Sequence, residues 1–211
     1  MQLIGMLDSP YVRRAAISLQ LLGVPFEHQS VSVFSAFDRF REINPLVKAP
    51  SLVCDDGTVL MDSVLITQYA EAFAQKKRSL LPTDFIELQH ALRIIGLAMT
   101  ACEKSVQIVY ERKLRPAEKL HEPWLSRVSG QVLAAYAALE DEFIKRPRAV
   151  TSATIDQATL TTAVAWYFTQ QMVADVVPAA DYPAMAALSK AAEGLPEFIA
   201  APYGDGICQM K

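Results

Sequence analysis

Met1-Gln-Leu-Ile-Gly-Met-Leu-Asp-Ser-Pro-Tyr-Val-Arg-Arg14 opens the chain and decides its fold. Leu3 to Leu7 is a short apolar run that predicts a strand, broken at Asp8-Ser9. Pro10 then begins a helical pattern. Ser is a preferred N-cap, and Pro suits the first helical position because its missing N–H would have had no partner there. Ser9 is therefore expected at a strand-to-helix junction, its hydroxyl beside free backbone N–H groups and the positive end of the helix dipole. Such a place stabilises an anion, whether a phosphate, a carboxylate or a thiolate.

Outward from Pro10, the apolar positions Val12, Ala15, Ala16, Leu19 and Leu22 recur at helical spacing. Gly23 falls where a left-handed C-terminal cap belongs, and Pro25 prevents continuation. Arg13 and Arg14 read as lying off the apolar stripe. Phe26 to Val33 alternates and predicts a second strand. A strand, a helix and a strand this close together predict a parallel pair with a right-handed crossover. Phe34 to Asn44 is a short irregular or helical piece ended by Pro45. Lys48-Ala-Pro-Ser-Leu-Val-Cys54 follows as a strand with a proline at its start. Asp55-Asp-Gly-Thr58 has hairpin-turn chemistry, and Val59-Leu-Met61 is the returning strand. Asp62-Ser63 caps the next helix, whose members Val64, Leu65, Ile66, Tyr69, Ala70 and Phe73 have amphipathic spacing. The expected order is β-α-β-α-β-β-α, a parallel pair joined to a hairpin in one mixed sheet.

Beyond this point the pattern becomes purely helical. Lys76 to Asp84 is polar except for Leu80-Leu-Pro82 and reads as a linker, with Lys76-Lys-Arg78 its solvated basic run. Leu88, Leu92, Ile95, Met99, Cys102, Val106 and Val109 predict one stripe of a long helix. Trp124, Val128, Val132, Ala135, Leu139 and Phe143 predict a second, bounded by Pro123 and Pro147. Thr154-Ile-Asp-Gln157 has the form of a capping box that starts a third helix, with Gln157 bonding back to the Thr154 N–H. Leu160, Val164, Tyr167, Phe168 and Met172 continue it as core. Pro183 to Glu193 predicts a further helix, and Leu195-Pro-Glu-Phe198 starts a short last one. The expected division is an α/β domain over 1–75, a linker over 76–84 and an all-helical bundle over 85–211.

Bulk composition excludes several classes. Of the 211 residues, 52% are apolar and 20% charged, enough for a core and too little charge for a disordered chain. A net charge of −3, without a clustered basic face, argues against a nucleic-acid partner. No uninterrupted apolar run approaches the roughly 18 residues of a membrane span. The N-terminus lacks the features of a secretory leader, so a cytoplasmic protein is expected. Cys54, Cys102 and Cys208 form no CxxC pair and read as reduced thiols. His28, His90 and His121 have no HExxH-type spacing, and no metal or nucleotide site is expected.

Five segments together carry a resemblance. Ser9-Pro-Tyr-Val-Arg13, Leu22-Gly-Val-Pro-Phe26, Asn44-Pro-Leu-Val-Lys-Ala-Pro50, Leu60-Met-Asp-Ser63 and Ser79-Leu-Leu-Pro82 occur in the order and at intervals similar to those in glutathione S-transferases. The chain resembles the serine-type, bacterial-like members of that family. The resemblance implies a thioredoxin-like N-terminal domain followed by a C-terminal helical bundle, and a cytosolic homodimer with a detoxification role. It implies that Ser9 is the catalytic residue, donating its hydroxyl hydrogen to the glutathione thiolate. A hydrogen bond to a charged group contributes about 1.5–3 kcal/mol, enough to lower a thiol pKa near 8.5 by about one to two units. Serine cannot form a mixed disulfide, so transferase chemistry is implied over thiol-disulfide exchange.

The same resemblance places the glutathione contacts. Ala49-Pro50 matches the family's cis-proline turn, in which the residue before proline pairs its backbone with the cysteinyl unit like an added strand. Ser63 and the N–H groups after it would take the γ-glutamyl carboxylate. Asp62 would take the neighbouring ammonium, and Lys48 the glycyl carboxylate. No cofactor beyond glutathione as co-substrate is implied. Tyr11, Phe34, Cys102, Val106, Tyr110 and Tyr203 are candidates for the wall against a small apolar electrophile, since pockets favour domain interfaces. Two alternatives stand beside conjugation: a non-catalytic scaffold or regulator of the same fold, and a glutathione-dependent isomerase or dehalogenase.

Overall fold

The computed structural model describes residues 1–74 and 78–209. The described residues fall into two units. One combines those of Met1–Leu80 and Gly194–Lys211, and the other spans Leu81–Glu193. The segment from Gly194 onward therefore packs with the α/β unit, where the sequence pattern extends the helical domain to 211. Lys76 and Lys77 of the expected basic linker lie outside the described residues.

The first unit holds strands β1 (Gln2–Ile4), β2 (Glu27–Gln29), β3 (Ser51–Val53) and β4 (Val59–Met61). Their order is β2-β1-β3-β4, with β1 parallel to β2 and the other pairs antiparallel. Leu3 stands opposite both His28 and Leu52. Ile4 points to the other face by strand alternation, where it packs with Val31 and Phe40. Both early strands are shorter than the stretches that predict them. β1 stops at Ile4 because Gly5 turns the chain out with φ +137°.

Helices α1 (Pro10–Leu21), α2 (Phe37–Ile43) and α3 (Ser63–Phe73) complete the predicted β-α-β-α-β-β-α order. This is the thioredoxin-like arrangement. α1 begins as expected, with Ser9 at its N-cap and Pro10 in the first turn. Past its C-cap, Gly23 has φ +66°. α1 packs against α3 and against α8 (Pro196–Ala200), a short helix of the C-terminal segment. That contact corrects the placement of the two arginines. Arg13 and Arg14 are only 2% and 3% exposed. Arg13 Nε donates to the Ala201 carbonyl at 2.8 Å while its guanidinium stacks over the Phe198 ring. The C-terminal segment supplies partners that no local pattern in α1 could reveal.

The second unit is a bundle of α4 (Phe85–Leu114), α5 (Glu122–Lys145), α6 (Gln157–Met172) and α7 (Pro183–Glu193). α4 touches α5 and α6, and α7 touches α5 and α6. The buried face of α4 runs through Ala91, Ile94, Ala98, Ala101, Cys102, Ser105 and Ile108, so the predicted stripe shares Cys102 with it and otherwise lies on its flank. Leu92 of that stripe is 51% exposed. Small side chains take the contact because two neighbouring helices approach closely there, and a count of large apolar residues misses them. Among the described residues, α4 alone has the length and composition of a membrane span, at a mean hydropathy of 1.2. Its small-residue face packs on α5 and α6 as a core helix does. The α5 stripe is correct from Val128 to Phe143, with Leu125 buried where Trp124 is expected.

The start of α6 also differs from expectation. Its N-cap is Asp156, whose Oδ1 accepts from the Thr159 N–H at 2.7 Å. The Thr154 N–H is engaged by Thr151, and the Gln157 amide donates to Thr161 Oγ1 at 3.2 Å. A carboxylate one residue before the helix outcompetes the hydroxyl three residues before it, since an ionised acceptor at the dipole's positive end binds more strongly.

Candidate active site

Ser9 follows a tight turn in which its own N–H donates to the Met6 carbonyl at 3.1 Å. Its Oγ accepts from the Val12 N–H at 3.4 Å. With that lone pair engaged by a donor, the hydroxyl hydrogen is available to an acceptor lying off the helix tip. Gly5 anchors the start of this turn. A Cβ added to it would lie 2.6 Å from Val12 Cγ2 and 3.2 Å from Ala49 Cβ. The end of β1, the first turn of α1 and Ala49 therefore meet at a point where only glycine fits.

The Ala49–Pro50 peptide is cis, as the resemblance implies. The turn before it is organised by Asn44, which is buried. Asn44 Oδ1 accepts from the Leu46 N–H at 3.0 Å, and its amide donates to Ser51 Oγ at 2.8 Å. Ser51 in turn donates to the Lys48 carbonyl at 2.7 Å. Val47 takes φ +48° inside this loop, a costly conformation for a β-branched residue. The Asn44 network holds the strained residue and so fixes where Lys48 and Ala49 stand.

Asp62 is the second strained residue, at φ +75°. One carboxylate oxygen accepts from the Val64 N–H at 2.9 Å. The other lies 3.3 Å from Lys48 Nζ, with both side chains about half exposed. Thus the structure brings Lys48 and Asp62 together, while the Val64 N–H expected to serve a ligand is taken by Asp62. Ser63 is buried, and its Oγ accepts from Arg14 Nη1 at 3.0 Å. A guanidinium only donates, so the Ser63 hydroxyl keeps its own hydrogen to give. Arg14 thereby adds a buried positive charge behind the α3 N-terminus. The doubled arginine early in an otherwise apolar helix was the available signal for it.

Asp8 stands next to Ser9. Burial holds its carboxyl above the ordinary 3.8, against the hydrogen bond from the Ser9 N–H, and the Asp205 carboxylate adds to the rise. His28, on β2, reaches the same loop through a 2.7 Å contact between Nε2 and the Gly5 carbonyl. Burial pushes its pKa below the ordinary 6.5.

Residues 3–78 match the profile of the glutathione S-transferase N-terminal domain. A GST-like protein of Escherichia coli K12, YibF, is 31% identical over 140 residues, spanning 66% of this chain and 68% of YibF. The chain belongs to the glutathione S-transferase family. A glutathione transferase family member from Pseudomonas fluorescens Pf-5, solved with bound glutathione, aligns over 95% of this chain and 97% of its own. It has 28% identity and a TM-score of 0.81. A glutathione S-transferase of Methylobacterium radiotolerans in complex with glutathione sulfonate aligns over 100% and 98%, at 25% identity and a TM-score of 0.86.

The first unit carries Ser9, Lys48, Ala49, Pro50, Asp62 and Ser63. The second-substrate candidates divide between the units. Tyr11, Phe34 and Tyr203 belong to the first, where Phe34 is exposed and the other two are half-buried. Cys102, Val106 and Tyr110 follow one another at four-residue spacing on α4. Cys102 is buried, Val106 is half-buried and Tyr110 is exposed. The sequence pattern assigned no site role to Gly5, Arg14 or Asn44, which contact the segments that carry Ser9, Ser63 and Lys48.

Proposed function

We propose that the chain is a cytoplasmic, homodimeric glutathione transferase of the serine type that conjugates the glutathione thiolate to an apolar electrophile. The observation that supports this most is Ser9 at the α1 N-cap, its lone pair occupied by the Val12 N–H and its hydrogen free for a sulfur. The helix tip and the hydroxyl both favour the thiolate, and the thiolate is the nucleophile. Asp8 and Asp205 oppose a negative charge nearby whenever they are ionised, and the hydroxyl and helix tip must outweigh them.

The remaining contacts would hold the peptide. Ala49 offers its backbone beside the cis bond to the cysteinyl unit. Asp62 would exchange Lys48 for the γ-glutamyl ammonium, freeing Lys48 for the glycyl carboxylate. An exposed ion pair contributes about 0–1 kcal/mol, so this exchange is cheap. The γ-glutamyl carboxylate would meet the Ser63 hydroxyl in the field of Arg14. Sulfur attacks the electrophilic carbon, forming the S–C bond as the leaving group departs with its electron pair. Catalysis is thiolate stabilisation plus positioning.

Calorimetry with glutathione, followed by an assay with a model aryl halide, tests this reading. Binding in the micromolar to millimolar range with conjugate formed is expected. Absence of heat at millimolar glutathione would favour a scaffold of the same fold.

A further inference from the structure

We propose that His28 is a positioning residue for the Ser9 site, acting through the two segments that its ring joins. The proposal rests on the transferase reading for its kinetic consequence, while its structural part stands alone. On one side, His28 Nε2 lies 2.7 Å from the Gly5 carbonyl. On the other, Nδ1 is 2.9 Å from the backbone nitrogen of Cys208, near the C-terminal end. A backbone amide can only donate, so Nδ1 is the acceptor and Nε2 carries the hydrogen given to Gly5. One neutral tautomer satisfies both segments at once.

The path from the ring to Ser9 is short and continuous. Gly5 is held at both ends, its carbonyl by His28 and its N–H by the Gln29 carbonyl at 3.0 Å. It sits against Val12 and Ala49 with no room for a Cβ. The next residue, Met6, accepts the N–H of Ser9. A shift of the Gly5 peptide would therefore move the turn that carries Ser9 and the contact that backs Ala49. At the other end of the bridge, the segment is closed by Gln209 N–H donating to the Ala200 carbonyl at 2.8 Å. Ser30, next to β2, donates its hydroxyl to the Asp205 carbonyl at 2.7 Å. Burial raises the Asp8 carboxyl above its ordinary range, and the Asp205 charge adds to that rise. The C-terminal segment is thus fastened beside the loop that carries Ser9, with His28 as the shared fastener. None of the groups in this path would touch glutathione through His28 itself.

The test combines amide exchange with steady-state kinetics on the full chain. His28→Phe removes both hydrogen bonds while filling the space. His28→Gln retains a donor near the Nε2 position. In His28→Phe, exchange of the Cys208 amide and of the Gly5 and Ser9 amides should rise together, about fivefold or more for a lost neutral hydrogen bond. Its kcat should fall about fivefold while KM for glutathione stays within about twofold. His28→Gln should restore protection at Gly5 and Ser9 and recover most of kcat. Faster exchange at Cys208 with Gly5, Ser9 and kcat unchanged would overturn the proposal, since the ring would then hold only the tail. Unchanged exchange at all three amides would overturn it as well. A parent chain that binds no glutathione would count against the transferase reading alone, because the exchange data decide the coupling without turnover.

Discussion

Asp62 caps α3 with one carboxylate oxygen and pairs with Lys48 through the other, from a backbone conformation that costs it energy. Strain of this kind, of order 1–3 kcal/mol, persists where the surroundings over-determine it. Asp62→Asn keeps the cap acceptor and tolerates the same φ, while removing the charge that would meet the γ-glutamyl ammonium. KM for glutathione should rise by up to about fivefold, as for a lost ion pair at a half-exposed carboxylate, with the urea midpoint nearly unchanged. His28 supplies a pH prediction at the same scale. Its folded pKa lies below the ordinary 6.5, chiefly through burial, so the unfolded chain binds the extra proton first as pH falls. The contribution is fully present above that ordinary value and declines as pH drops through and below it. Urea midpoints at about pH 7.5 and 5.5 should show the parent losing more stability on acidification than His28→Gln.

At the level of elements, local chemistry was legible wherever one residue dictates the backbone. Ser9-Pro10 starts α1, Gly23 terminates it, Gly57 turns the hairpin at φ +84°, and α7 spans the predicted Pro183–Glu193. Legibility failed where the deciding partner is distant in sequence. The α4 seam is rich in alanine because of what packs on it, and of the predicted stripe only Cys102 is fully buried there, the rest lying on its flank. α7 offers another case, since its first turn is satisfied by Glu140 on α5. The Glu140 carboxylate accepts from the Ala184 N–H at 2.7 Å and the Met185 N–H at 2.9 Å. No capping motif precedes Pro183, so the sequence around it carries no trace of this arrangement. Glu140→Ala should destabilise the chain by about 1–3 kcal/mol, because it leaves the first turn of α7 without its acceptor. Chemical denaturation followed by circular dichroism measures it.

Across the whole molecule, the candidate glutathione contacts could be placed from motif order because they all lie on the first unit. What the order of motifs hid is that the chain returns to that unit after the helical bundle. Phe198 is buried there under the Arg13 guanidinium, and the Ala201 carbonyl is the acceptor of Arg13. A chain ending at Glu193 would lose the burial of Phe198 and the hydrogen bond from Arg13 to the Ala201 carbonyl. Burial of one phenylalanine contributes about 1.5–3 kcal/mol, and a hydrogen bond from a charged group about as much again. The truncated chain should therefore lose roughly 3–6 kcal/mol, seen as a lower urea midpoint for the α/β unit.

The central claim concerns the charge on sulfur beside Ser9, and the ultraviolet absorbance of bound glutathione thiolate, titrated against pH, reads it directly. In Ser9→Ala the thiol pKa should rise by about one to two units relative to the parent, with turnover at neutral pH reduced by up to about a hundredfold and binding largely retained. The same thiol pKa in both proteins would contradict the account, because Ser9 would then have no part in holding the thiolate.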